Sequence, residues 1–278
     1  MLLSAKLAPT FAFPVLQEFW RNADELGFHS VSNYDHFYGL TDHAAATFEG
    51  WTSLAAMAVS VRTARVGCMV TSVTYRNPAM LAKMAVTVDH ISGGRLDFGI
   101  GAGWHEAEHL GYGLDFPSPG TRVAMLDEAL TIIRRLWTDE SVTFDGRFYA
   151  VREALAEPKP LQKPHPPIVV GGEQPKMLRV VARHADEWNV PMSGGDAKDW
   201  AAVSARLDEA CREVGRDPAE IRRSVQLFLH PAQGGQIDEQ LAGLPQLQAL
   251  GCQHAVLSFY QPPTAQQLGR CAELANDR

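Results

Sequence analysis

Apolar residues recur along the chain in short β-like runs, separated by segments of helical period. Leu2, Leu3 and Leu7 mark a first strand. A helix is expected over Pro14–Leu26, with Val15, Phe19, Ala23 and Leu26 on one face, and Gly27 stops it. Phe28–Tyr34 reads as the second strand and runs straight into Asp35-His36-Phe37. A polar loop over 38–50 leads to a second helix, Ser53–Val61. The most informative stretch is 65–104. A strand through Val66, Met69 and Val70 meets Thr71-Ser72-Val73-Thr74, small polar residues that leave backbone groups free to face a ligand. Asn77 is a good N-cap, and Pro78 is tolerated at the first helical position. Met80, Met84, Val88 and Ile91 give the helix an apolar stripe, and Ser92-Gly93-Gly94 ends it. Leu96, Phe98 and Ile100 alternate as a strand that closes on Gly99, Gly101 and Gly103. Glycines there mean that something approaches the backbone closely.

After Trp104 a short helix is expected over 105–111. A longer amphipathic one spans Arg122–Trp137, striped by Val123, Leu126, Leu130, Ile133 and Trp137. VTFDGRFYAV reads as a hairpin around Asp145-Gly146. The Pro-rich stretch 158–167 reads as an extended connector, so 138–166 is an insertion within one domain. Alternation then resumes. Strands are expected at Ile168–Val170, Asp186–Val190, Ser224–Leu229 and 254–259, with helices at 175–184, 197–214, 236–249 and 264–275. Strands that alternate with helices imply a parallel sheet. Eight such units in about 250 residues fit a (β/α)8 TIM barrel with an insertion after strand 4, as one domain over 1–278. A doubly wound sheet is the alternative.

A formal charge of −7 on 278 residues argues against a general nucleic-acid binder, though not against a small anionic ligand. Cys68, Cys211, Cys252 and Cys271 are scattered without a C-x-x-C pair, which reads as buried thiols in a reducing, cytoplasmic setting. Met1–Pro9 lacks the pattern of a signal peptide, and no apolar run is long enough to span a membrane. The expected partner is therefore a small-molecule substrate, with no nucleic acid and no membrane.

In a barrel the chemistry belongs at the C-terminal strand ends. These are Asp35-His36, Thr71-Ser72-Val73, Gly101-Ala102-Gly103-Trp104, Gly171-Gly172 and Trp188-Asn189, and their small residues suit a flat ligand across the barrel mouth. His36 could move a proton near neutral pH, or only order its loop. Gly171-Gly172 before a helix could cradle a phosphate, or only make a tight turn. G-I-G-A-G is not a dinucleotide fingerprint, because position 104 is Trp104. His105-Glu106-Ala107-Glu108-His109 matches H-E-x-x-H, which suggests a zinc hydrolase. Gly111 and Gly113 break that helix early, and the extended zinc motif fails at Tyr112 and Asp115.

Taken together, ELGFHSVSNYDHF, the 63–104 stretch, RVAMLDEALTIIRRLW with FDGRFY, and PKPLQKPHPPIVVGG with ARHADEWN resemble the bacterial luciferase-like superfamily of flavin- and deazaflavin-dependent oxidoreductases. They resemble most the coenzyme F420-dependent branch. The resemblance implies a barrel with the cofactor ring at its mouth and hydride transfer between F420 and a small organic substrate. An FMN-dependent monooxygenase is the alternative. It implies a non-prolyl cis peptide at Ser72-Val73 behind the ring, and cofactor contacts from Asp35, Thr71, Ser72, Val73, Gly103 and Trp104. Gly171 and Gly172 would meet the cofactor phosphate, His36 would transfer the proton, no metal would be held, and the oligomer would be a homodimer. The chain departs from the sugar-phosphate dehydrogenases of this branch, where the position after the strand-4 G-x-G is glutamate. Here it is Trp104, an apolar wall that points to an apolar or aromatic substrate.

Overall fold

The computed structural model describes residues 1–40, 42–192, 197–230 and 237–276. Strands alternate with helices along most of the chain, the exceptions being a split third strand and a hairpin. The order opens β1 (Leu2–Leu7), α1 (Phe13–Glu25), β2 (Ser30–Asn33), α2 (Gly50–Ser60), β3 (Arg65–Cys68), β4 (Thr71–Ser72), α3 (Pro78–Ile91) and β5 (Leu96–Gly101). It continues α4 (Glu106–Gly111), α5 (Pro119–Thr138), a hairpin of β6 (Val142–Asp145) and β7 (Ala150–Ala154), β8 (Ile168–Gly171), α6 (Pro175–His184) and β9 (Glu187–Met192). Then come α7 (Ala197–Glu213), β10 (Arg222–Leu229), α8 (Ile237–Gln240), α9 (Leu244–Ala249), β11 (His254–Phe259) and α10 (Ala265–Asn276).

All barrel pairings are parallel, and β3 pairs with both β2 and β5, so the sheet closes. The third stave is interrupted: β3 stops at Cys68, and β4 resumes beside β5 with Ser72 opposite Gly101. Counted by staves this is the expected (β/α)8 barrel rather than a doubly wound sheet. The insertion after the fourth stave holds the antiparallel β6–β7 pair. Its loop is tied to α5, because the Glu128 carboxylate accepts from the N–H groups of Arg147, Phe148 and Tyr149. The Pro-rich connector is held by the buried Asp89 of α3, which accepts from the N–H groups of Leu161 and Gln162 and the Gln162 side chain.

Two helix stripes are out of phase with expectation. α1 buries Leu16, Phe19, Trp20 and Ala23, leaving Val15 and Leu26 more than a third exposed. α3 buries Leu81, Ala82, Ala85, Val86 and Val88 instead of Met80 and Ile91. Small alanines carry little hydrophobic signal, yet they let a helix lie close against the sheet. Trp137 of α5 fills the space that this opens and donates its indole N–H to Ala82 O at 3.1 Å. The α5 stripe itself is buried as expected at Leu126, Leu130, Ile133 and Trp137. Asn77 caps α3 by accepting from the N–H groups of Ala79 and Met80. The single helix expected over 236–249 is two short helices, and residue 236 lies outside the described residues.

The strand starts are tied by a buried polar chain. Ser30 Oγ donates to Ser4 Oγ, Ser4 Oγ is hydrogen bonded to His254 Nε2, and His254 Nδ1 reaches Glu187 Oε1 at 2.8 Å. Arg222 donates to the second oxygen of Glu187. The opposite end, where the strands finish, is open.

Candidate functional site

A cavity of about 580 Å³ lies at the finishing ends of the strands. Every stave supplies lining, from Lys6 on β1 to Phe259 on β11. Of the residues expected there, Asp35, His36, Thr71, Ser72, Gly103, Trp104, Gly171 and Gly172 all line it. Val73 does not. It is 1% exposed, packed into the core, and donates its N–H to Gly101 O.

The non-prolyl cis peptide is Met69–Val70, not Ser72–Val73. The chain breaks between β3 and β4, and Ser72 and Val73 have already rejoined the ladder with β5. Met69 N–H donates to Asn33 O, and Lys6 Nζ donates to Met69 O at 2.8 Å, so the bulge is held from two strands. The bulge also accounts for the glycines of β5. A Cβ on Gly99 would stand 2.0 Å from Cys68 O, and one on Gly101 would stand 2.9 Å from a Val70 methyl. What approaches these glycines is the neighbouring stave. Gly171 differs, since a Cβ there would meet nothing closer than 3.8 Å. Its bare backbone is cavity floor that packing does not require, a cradle open to a ligand. Gly172 has φ +121° and donates its N–H to Asn189 O.

His36 leaves β2 and meets α4. Its Nδ1 is 2.8 Å from Glu108 Oε2, so the ring presents its other nitrogen as the free one. Glu108 is fully buried and takes four donors. Phe37 N–H and Tyr38 N–H bind Oε1, while His36 and the Tyr75 hydroxyl bind Oε2. Burial alone would raise this carboxyl, but the donors outweigh it and hold it down at about 2. Trp104 is 62% exposed and stands with its ring 5.4 Å from His36, while Tyr34 packs edge-on at 5.0 Å from the other side. Leu40, Phe228 and Tyr260 extend the apolar wall.

Asp35 faces inward behind this wall. It accepts from both arms of the Arg76 guanidinium, at 2.6 and 2.9 Å, and from Ser72 N–H. Burial pushes its carboxyl above the ordinary value, and the guanidinium fork and the Ser72 N–H oppose that rise. Thr71 accepts from the Trp51 indole N–H. Both residues shape the cavity through these fixed bonds.

The HEAEH stretch is not arranged to hold zinc. Glu106 is exposed. His109 uses Nδ1 on His105 O and Nε2 on Thr74, so neither nitrogen is available. Among the described residues no group of three His, Cys, Asp or Glu is placed to hold a metal. What the stretch brings to the cavity rim is Glu108, the second of its two carboxylates, which a reading by zinc spacing passes over.

The family model for luciferase-like monooxygenases matches residues 3–267, and the chain belongs to that family. A phthiodiolone/phenolphthiodiolone dimycocerosates ketoreductase of Mycobacterium sp. (strain JLS) is 35% identical over 194 residues, 68% of this chain and 50% of that protein. An uncharacterised protein of Mycobacterium tuberculosis is 37% identical over 148 residues, 53% of this chain and 51% of that one. The chain thus matches about half the length of these curated relatives. Among solved structures, an F420-dependent secondary alcohol dehydrogenase in complex with an F420-acetone adduct superposes with TM-score 0.84 at 18% identity, covering 98% of both chains. The monooxygenase RslO1 from Streptomyces bottropensis superposes with TM-score 0.81 at 21% identity, covering 100% of this chain and 98% of that one. At such identities the likeness is one of fold.

Proposed function

We propose that this protein is a coenzyme F420-dependent oxidoreductase that interconverts a small apolar ketone and its secondary alcohol. The observation that carries the reading is His36, oriented through Nδ1 by the buried Glu108, with its second nitrogen free at the edge of a largely apolar cavity. A carbonyl–alcohol couple exchanges one hydride and one proton. The cavity offers one oriented proton carrier and, in Trp104, Tyr34 and Phe228, walls that suit an uncharged substrate. The name of the ketoreductase relative supports the substrate class. The fold is shared by F420-dependent enzymes and monooxygenases, so the choice of a deazaflavin rests on the resemblance of residues 25–190 to the F420-dependent branch.

The ring, when bound, would supply or accept the hydride. The chain would do the rest. The Met69–Val70 bulge and the backbone at Gly103 and Gly171 would bed the ring, and the strand end at Gly171-Gly172 with the start of α6 would take the phosphate. Asp35, fixed by Arg76, and Ser72 would border it. His36 Nε2 would give a proton to the carbonyl oxygen in reduction and take it back in oxidation. Glu108 would hold the ring nitrogen Nδ1 protonated in both directions, and Trp104 would shield the site from water.

The test is a pair of binding titrations on the purified protein, one with F420 and one with FMN, followed by fluorescence quenching. Tight binding of F420 alone supports the reading. Tight binding of FMN alone, or of neither, overturns it, the first in favour of an FMN-dependent monooxygenase.

A further inference from the structure

Lys6 sits on a strand whose residues from Leu3 to Leu7 are all buried, and it is 6% exposed itself. Its ammonium lies at the cavity floor and donates to Met69 O at 2.8 Å and to Gln226 Oε1 at 3.0 Å, with the Tyr34 ring 5.8 Å away. These partners are neutral oxygens and an aromatic face. The charged groups around the cavity are committed elsewhere, Asp35 to Arg76 and Glu108 to His36. The titratable neighbours are neutral near pH 7. Burial pushes the Cys68 thiol of β3 well up, and the Tyr34 phenol beside β2 to about 12. Burial also lowers the ammonium of Lys6 to about 8, which leaves it charged at neutral pH.

A neutral donor would hold the two oxygens as well as an ammonium does, without the cost of burying a charge. A lysine there makes physical sense if its counter-charge arrives with the ligand. A deazaflavin of the F420 type carries a ring hydroxyl that a flavin lacks. Loss of its proton gives an anion spread across the ring to the pyrimidine carbonyls, so a cation along either edge of the ring stabilises it. We infer that Lys6 is the counter-charge for the ionised cofactor ring, selecting an acidic ring over a neutral one from beneath the Met69–Val70 bulge. This rests on the F420 reading above.

The measurement is a pH titration of the visible absorption band of F420, free and bound to the wild type, Lys6→Met and Lys6→Arg. In the wild type the bound ring should ionise at least tenfold more readily than the free ring. In Lys6→Met it should ionise less readily than in water, as expected for burial without a cation, and Lys6→Arg should restore most of the shift. A bound ring that ionises in the wild type no more readily than in water overturns the inference, and so does Lys6→Met with a wild-type ionisation. If Lys6→Met fails to fold or bind, the comparison of wild-type-bound with free ring decides alone. F420 that binds the wild type with an unshifted ring overturns the role of Lys6 only. F420 that does not bind overturns the cofactor reading, and this role with it.

Discussion

At the scale of single residues, the site turns on which nitrogen of one imidazole is free. His36→Ala should lower turnover by about 10²- to 10⁴-fold, the usual worth of a general acid or base, while F420 still binds. Steady-state rates beside a binding titration check this, and undiminished turnover would remove His36 from the chemistry. Glu108→Gln keeps the shape but brings an amide N–H toward two groups that donate to it. It should cost stability by about 1–3 kcal/mol in urea unfolding, because buried donors lose an acceptor. Trp104→Glu should lower kcat/KM for an apolar ketone, since it replaces the aromatic ring beside His36 with a charge; unchanged kinetics would refute the wall. His36 and Trp104 were visible in sequence because they follow strands. Glu108 was hidden: it lies in a segment whose spacing suggests a metal helix, and its partners are backbone N–H groups seventy or so positions away. Lys6 left one signal, a lone cation in the apolar strand LLSAKL.

At the scale of elements, the break between β3 and β4 dictates its neighbours. Gly99 and Gly101 both lack room for a Cβ, but for different reasons. Gly99→Ala would drive a methyl into the carbonyl of Cys68, which belongs to the sheet and has nowhere to go. Gly101→Ala would meet the end of the Val70 side chain, which can turn. Gly99→Ala should therefore be far the more destabilising of the two when their thermal midpoints are compared. Short apolar runs between helical segments mark every stave of the barrel, because a parallel strand buried on both faces is apolar along most of its length. Periodicity alone misplaces the buried faces of α1 and α3, because which side of a helix is buried depends on neighbours, such as Trp137 against α3, that local periodicity does not contain. The resemblance implies the cis peptide at Ser72-Val73, three residues after its actual place at Met69–Val70. It sits where Asn33 and Lys6 reach across to hold it, and neither is local in sequence.

At the scale of the whole molecule, the two ends of the barrel divide stability from chemistry. The strand starts are bound through Glu187, whose carboxyl burial would raise. Its ion pair with His254 and its hydrogen bonds prevail and bring it to about 2, against 4.5 unfolded. Glu108 follows the same pattern at the other end. Both carboxyls are depressed, so their stabilisation is full above about pH 4.5 and fades as pH falls toward 2. Urea midpoints across that window should fall for the wild type and fall less for Glu187→Gln, which starts lower. A closed parallel barrel was legible because eight repeats average out local errors, whereas the site draws on contacts between repeats. One of those contacts constrains how such a protein can change. His36 and Glu108 are 72 positions apart, yet Glu108 also holds the backbone on which His36 sits. The segment after β2 and the helix after β5 thus fit only in matched pairs. A library that diversifies one and keeps the other will mostly yield dead clones, whereas exchanging both together from a homologue should carry the donor's substrate range with them.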